Sequence, residues 1–88
     1  KKLAGVLLLT PLPEVRCIDI TYLGASPHAR GKGVGNSLVR KAYEVAQDSQ
    51  YKRISLAVDA QNTPAIHLYQ RWNFRKIGQR FTMIKKLF

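Results

Sequence analysis

Acid is scarce in this chain. Five Asp and Glu stand against fifteen Lys and Arg, a formal net charge of +10 over 88 residues. The last third thickens the imbalance: Arg71, Arg75, Lys76, Arg80, Lys85 and Lys86 follow one another with no acid between them. Such a field attracts anions, whether a nucleic acid, an acidic surface or a polyphosphate cofactor, although a solvated basic face reads equally well. Cysteine is almost absent. Cys17 stands alone, which excludes an internal disulfide and agrees with a reducing compartment. One Cys and two distant histidines, His28 and His67, do not make a metal site, and no Ser-His-Asp arrangement is visible. Long apolar runs are missing too. The longest, Val6 to Leu9, is far too short to cross a membrane, and the Thr10-Pro11-Leu12-Pro13 break argues against a leader despite Lys1-Lys2. The expectation is a cytoplasmic protein with no membrane partner.

What is present suffices for one small domain, residues 1–88, with 45% hydrophobic residues to build a core. The periodicities read in order. Leu3 to Leu9 is a compact apolar run expected to form a buried strand, with Pro11 to Glu14 as the turn after it. Arg16 to Leu23 alternates as a second strand, Ile18, Ile20 and Tyr22 on one face and Cys17, Asp19 and Thr21 on the other. Gly24-Ala25-Ser26-Pro27 then breaks regularity. Val34 to Gln47 is the strongest helix, with an apolar stripe of Val34, Leu38, Ala42, Val45 and Ala46. Arg53 to Val58 is a third strand. Thr63 caps a second helix with Pro64 in its first turn, and its buried stripe is Ala65, Leu68, Tyr69 and Trp72. Asn73 is placed to end it in a left-handed conformation. Two short strands, Arg75 to Gln79 and Phe81 to Leu87, close the chain, with Gly78 at a bulge or turn. The expected fold class is α/β: a mixed sheet with two helices in the order β-β-α-β-α-β-β.

The functional signal sits between the second strand and the first helix. Arg30-Gly31-Lys32-Gly33-Val34-Gly35-Asn36 places three glycines at alternate positions where a helix begins. Unpaired N–H groups, the positive end of a helix and the lack of side chains suit a phosphate or pyrophosphate. Two familiar loops are excluded by spacing. A P-loop needs four residues before Gly-Lys and then Ser or Thr, but Lys32 is followed by Gly33. A dinucleotide fingerprint needs glycine where Asn36 stands.

The stretch resembles the signature of the GNAT acetyltransferases, Gln/Arg-x-x-Gly-x-Gly/Ala. A second block, Asn62-Thr63-Pro64-Ala65-Ile66-His67-Leu68-Tyr69, resembles that family's Asn-x-x-Ala-x-x-Leu-Tyr. Asn73-Phe74 replaces the family's Gly-Phe, and Arg80-x-x-Met83-x-Lys85-x-Leu87 resembles its last strand. The resemblance covers nearly the whole chain. It implies a truncated acyl-CoA N-acyltransferase fold, a cofactor-binding core without the family's usual N-terminal elements.

Its functional implications follow residue by residue. Acetyl-CoA is the expected cosubstrate and a primary amine, otherwise unspecified, the acceptor; no metal is expected. The pyrophosphate would rest on Arg30, Gly31, Lys32, Gly33, Val34, Gly35 and Asn36. The pantetheine arm would lie along Leu23, Gly24 and Ala25, where the family's parallel strands splay, with Asn62, Ala65 and Tyr69 beside it, although Asn62 reads equally as a simple helix cap. A backbone N–H near Leu23 to Ala25 would stabilise the oxyanion. Tyr69 would be general acid to the thiolate, although its place in the apolar stripe also suits a plain core tyrosine. Asp19 and Glu14 are the candidate bases; Asp19 reads equally as a hydrogen-bonded polar residue near the sheet surface. The alternative is a non-catalytic CoA-binding or interaction module. Nucleic acid is disfavoured because Tyr22 and Phe81 are too sparse for an RNA-reading sheet. The apolar Leu3 to Leu9 strand would be an exposed edge, so a homo-oligomer is expected.

Overall fold

In the computed structural model, residues 5–26, 33–77 and 82–87 are described. Five strands form one mixed sheet in the order β1-β2-β3-β5-β4. The strands are β1 (Gly5–Leu12), β2 (Cys17–Ala25), β3 (Arg53–Ala57), β4 (Arg75–Ile77) and β5 (Thr82–Lys86). Helix α1 (Val34–Asp48) joins β2 to β3, and α2 (Thr63–Arg71) joins β3 to β4. β2 and β3 are parallel, and the other three pairings are antiparallel.

Alternation divides the sheet into two faces. Ile18, Ile20, Ile54, Leu56 and Met83 are buried with Val39, Ala42 and Ala46 of α1 and Leu68 and Tyr69 of α2 in one hydrophobic cluster. Both helices therefore cover this core face. The opposite face is open: Val6, Leu8, Leu12 and Tyr22 are exposed there. Register places Thr10, Asp19, Ser55, Ile84 and Arg75 in one row across it, with Leu12, Cys17, Arg53 and Lys86 in the next.

Several sequence expectations need correction. β1 is not a buried strand ending before Pro11. It runs to Leu12 and alternates between half-buried and exposed, because it is an edge whose outer side needs no ladder donor. The link to β2 is a single 3-10 turn, Pro13–Val15. β2 does not stop at Leu23, since Gly24 and Ala25 pair with Val6 and Gly5. On α1 the fully buried residues are Val39, Ala42 and Ala46; Val39 was not in the expected stripe, while Val34, Leu38 and Val45 are half-buried. The cap of α2 is Asn62, not Thr63, with Asn62 Oδ1 accepting from the Ala65 N–H. Gly78 and Phe81 lie outside the described residues.

Both helices end in the same motif without glycine. In α2, Asn73 takes φ 67°, its N–H reaches the Gln70 carbonyl at 2.9 Å, and the Phe74 N–H reaches the Tyr69 carbonyl at 3.0 Å. The apolar contact that accompanies this closure is Tyr69 against Phe74, edge to face at 5.6 Å. In α1, Gln50 at φ 62° and the Tyr51 N–H to the Ala46 carbonyl repeat it. The first was foreseen because Asn tolerates the left-handed region; Gln50 carried no such signal. Asn73→Val is expected to lower the unfolding free energy by about 1–2 kcal/mol, through the strain of a β-branched residue there, with Asn73→Gly tolerated. Urea unfolding of the two variants measures the difference.

Candidate active site

The parallel β2–β3 pairing covers only Cys17–Arg53 to Ile20–Leu56. β2 continues five residues further, to Ala25. From Thr21 onwards its edge towards β3 has no ladder partner. A bulge starts the separation: Leu8 pairs with Tyr22 and Leu9 with Ile20, so Thr21 is the extra residue. An inserted residue bends the strand and strengthens its twist. Thr21 and Tyr22 are consecutively exposed, and Leu23 returns to pack on the core. Among the described residues this leaves a gap in the ladder beside Leu23, Gly24 and Ala25, the cleft where an extended arm was expected.

The start of α1 stands on the core side of this cleft. Gly5, beside Ala25 in the ladder, lies against it: a Cβ on Gly5 would come within 2.9 Å of Val34 Cγ1. Gly33 is the N-cap, with φ 79°, a conformation that favours glycine. No side chain caps this end and no acid occupies its first turn. The first bond from inside the helix is the Ser37 N–H to the Gly33 carbonyl at 3.1 Å. The N–H groups of Val34, Gly35 and Asn36 precede it and have no intrahelical acceptor, which leaves a positive helix end suited to an anion. Arg30, Gly31 and Lys32 lie outside the described residues.

Two side-chain details explain the rest of the glycine stretch. A Cβ on Gly35 would sit 3.1 Å from Leu68 Cδ2, so glycine lets α2 close on α1. Asn36 Oδ1 accepts from Trp72 Nε1 at 3.0 Å, tying the start of α1 to the end of α2 and leaving the Asn36 backbone N–H to other uses. Trp72 was expected only as core.

Tyr69 is buried, 6% exposed, in the same cluster as Leu56 of β3. Desolvation by burial raises its phenol above the usual 10.0, so it holds its proton throughout the neutral range. Ala65, half-buried, packs on the same core one turn earlier. Asn62 is used as the helix cap and fixes the loop after β3. His67 is exposed on α2.

Asp19 lies on the open face, half-buried, two residues before the bulge. Its Oδ1 accepts from Ser55 Oγ at 2.8 Å, and its Oδ2 from Thr21 Oγ1 at a long 3.5 Å. Glu14, the other candidate base, is exposed on the 3-10 turn at the opposite end of β2, away from the cleft. The structure brings Asp19 towards the cleft and leaves Glu14 out. Sequence reading missed Ser55, whose place opposite Asp19 appears only in the parallel register. Among the described residues, no three His, Cys, Asp or Glu side chains form a group able to hold a metal. No described helix is long and apolar enough to cross a membrane.

The GNAT acetyltransferase family model matches residues 1–74. The chain belongs to the GNAT acetyltransferase family. Its relatives include mycothiol acetyltransferase of Jonesia denitrificans, 36% identical over 73 residues, which cover 83% of this chain and 23% of that protein. Another is a putative [ribosomal protein bS18]-alanine N-acetyltransferase of Bacillus subtilis, 34% identical, with 70% of this chain and 41% of that protein covered. Among solved structures, nourseothricin acetyltransferase superposes with a TM-score of 0.88 at 27% identity, covering 94% of this chain and 57% of that one. A Bacillus subtilis acetyltransferase solved with CoA shares the fold at TM-score 0.88 and 20% identity, covering 99% and 71%. The GNAT chain thus spans about a fifth to two fifths of the length of these curated relatives.

Burial of Tyr69 has a pH signature. An unfolded phenol titrates near 10.0 and the folded one higher, so the folded state holds this proton more tightly. The contribution is complete below pH 10 and is lost as pH rises through the folded value. The melting temperature is therefore expected to fall more steeply above pH 10 in the wild type than in Tyr69→Phe. Equal slopes in a thermal-melt series would contradict the assignment.

Proposed function

We propose that residues 1–88 are the acetyl-CoA-binding and catalytic core of an N-acetyltransferase acting on a primary amine. The observation that carries this reading is the cleft itself. The β2–β3 ladder ends at Ile20–Leu56, beside the uncapped start of α1 and with Tyr69 in the adjoining core. The N–H groups of Val34, Gly35 and Asn36, with Gly33 turning the chain and Arg30, Gly31 and Lys32 leading into it, receive the pyrophosphate. The free edge of Leu23, Gly24 and Ala25 receives the pantetheine amides as a false strand, and Asn62 and Ala65 line the side towards α2.

Acetyl-CoA supplies the activated acyl group: a C–N bond forms to the amine and the C–S bond breaks. The helices occupy the core face, so the amine approaches from the open face, where Asp19 lies. Asp19 accepts the proton that the amine loses, through water, since it stands two residues, about 7 Å, from the bulge. Tyr69 gives its proton to the departing sulfur, and a β2 backbone N–H beyond Thr21 supports the developing oxyanion. Solvent then restores the phenol proton and takes the one on Asp19.

The acceptor follows from the relatives only as a class. The relatives include a mycothiol acetyltransferase and a ribosomal-protein alanine N-acetyltransferase, so three primary amines of different kinds, glucosamine, an alanyl peptide and lysine, form the test panel. Thiol release from acetyl-CoA is expected with at least one of them. Tyr69→Phe and Asp19→Asn are each expected to lower kcat on the order of 100-fold, with acetyl-CoA affinity by calorimetry nearly unchanged. Equal loss of turnover and affinity in Tyr69→Phe would remove it as the acid.

A second reading is a CoA-binding or interaction module without turnover. It is favoured by a basic groove beside β4 and β5, lined by Arg75, Lys76, Lys85 and Lys86. Acetyl-CoA binding without thiol release across the panel would support it. The open edge of β1, with Val6 and Leu8 outward, also supports self-association between two copies. Sedimentation is expected to show a dimer that Leu8→Lys weakens.

A further inference from the structure

Asp19 is the centre of a directional hydrogen-bond chain. On one side the Cys17 thiol lies 3.4 Å from Ser55 Oγ, and Ser55 Oγ lies 2.8 Å from Asp19 Oδ1. On the other side Thr10 Oγ1 bonds Thr21 Oγ1, and Thr21 Oγ1 faces Asp19 Oδ2 at 3.5 Å. An ionised carboxylate only accepts, so Ser55 must donate to it. The Cys17 thiol has two acceptors within reach, Ser55 Oγ at 3.4 Å and the Ile18 carbonyl at 3.7 Å, the nearer being Ser55. Thr21 donates to Asp19 and Thr10 to Thr21. Every hydroxyl proton in the row points inward, towards Asp19.

Geometry ranks the two arms. The Ser55 bond is short and part-buried, whereas the Thr21 bond is long and exposed. Ser55 also sits on β3 in the last stretch of regular parallel ladder, opposite Asp19 and one pair before the ladder ends. Thr21 sits on the bulge itself. A side chain held by the regular ladder fixes the carboxylate better than one on the irregular residue. Behind Ser55, Cys17 is buried, so the far end of this arm is immobilised by packing.

We propose that Ser55, backed by Cys17, is the positioning residue that locks one oxygen of Asp19 against β3 and leaves the other turned towards the cleft as the proton acceptor. The proposal rests on the reading of Asp19 as the base. Other charged groups share its face without intervening. Arg53 and Lys86 belong to the neighbouring row, and Arg75 closes Asp19's own row beyond Ser55 and Ile84. Glu14 lies past the far end of β2. Val6 and Leu8, also exposed there, are apolar. Neither helix presents a group, because both cover the opposite face.

The test is a kinetic cycle built on Ser55→Ala, Ser55→Thr and Asp19→Asn, with thiol release from acetyl-CoA measured against glucosamine, an alanyl peptide and lysine. A charge-assisted hydrogen bond that orients a base is expected to be worth about tenfold in kcat, so Ser55→Ala should lose that much. The KM for acetyl-CoA should stay within about twofold, because the bond is remote from the pyrophosphate site. Ser55→Thr, which keeps the hydroxyl on a strand-compatible residue, should restore most of the rate. In the Asp19→Asn background, Ser55→Ala should cost nothing more. A crystal structure of Ser55→Ala should show the Asp19 carboxylate rotated away from β3.

Failures separate cleanly. No effect of Asp19→Asn, or no wild-type turnover with any of the three amines, overturns the base assignment and the inference with it. Loss in Asp19→Asn with full activity in Ser55→Ala overturns the inference alone. So does an additive loss in the double variant, or an unmoved carboxylate in the Ser55→Ala structure.

Discussion

A single extra residue in one strand sets the geometry on which the rest depends. Thr21 has no partner in β1, and the parallel ladder to β3 ends one residue earlier, at Ile20. A regular ladder would have carried the pairing only one residue further, to Ala57, where β3 itself ends. Because the strand bends instead, its terminal backbone groups face a gap that an extended amide-bearing molecule can fill. Unpaired backbone of this kind is costly when buried and useful when a ligand completes it. The cleft is therefore a consequence of where the pairing stops.

The bulge also assigns the two faces their parts. Before it, Ile18 and Ile20 point into the core and Asp19 points out; after it, Leu23 is again inward. The core side gathers Tyr69 and the start of α1, held together by Leu68 against Gly35 and by the Trp72–Asn36 bond. The open side gathers short hydroxyls and one carboxylate around the splay, with the exposed Leu8 and Tyr22 beside them. An acid held protonated by burial on one face and an ionisable base on the other is the division of labour that acyl transfer to an amine asks for. The overall positive charge favours a polyanionic cosubstrate at any of these surfaces, and the proposal gives it an address at the local N–H groups of α1.

Much of this was legible in the residues. The strand and helix order followed from periodicity, and the glycine stretch marked the helix start because alternate glycines leave backbone N–H groups bare. Asn73 announced its own left-handed turn. The bulge was not legible: Thr21 fits a regular strand as well as an irregular one, and the β-branched run Ile18 to Thr21 gives no sign of an insertion. The extension of β2 through Gly24 was hidden by a residue that ordinarily marks an end. Pro11 misled in the same way: the first strand was expected as an edge, but an edge strand can carry a proline, and β1 runs past it to Leu12. Val39 was missed because α1 rotates its buried side slightly from the stripe that the strongest apolar residues define. Ser55 was invisible because its importance depends on a parallel register, and register across a 15-residue helix is set by tertiary packing.

The central claim is that the cleft between β2 and β3 and the bare start of α1 form one continuous site for acetyl-CoA. Amide-resolved NMR during an acetyl-CoA titration tests it most directly. The account predicts saturable shifts in two groups of residues with one common affinity, Val34 to Asn36 and Thr21 to Ala25. Shifts confined to Arg75, Lys76, Lys85 and Lys86, with both groups unmoved, would contradict it.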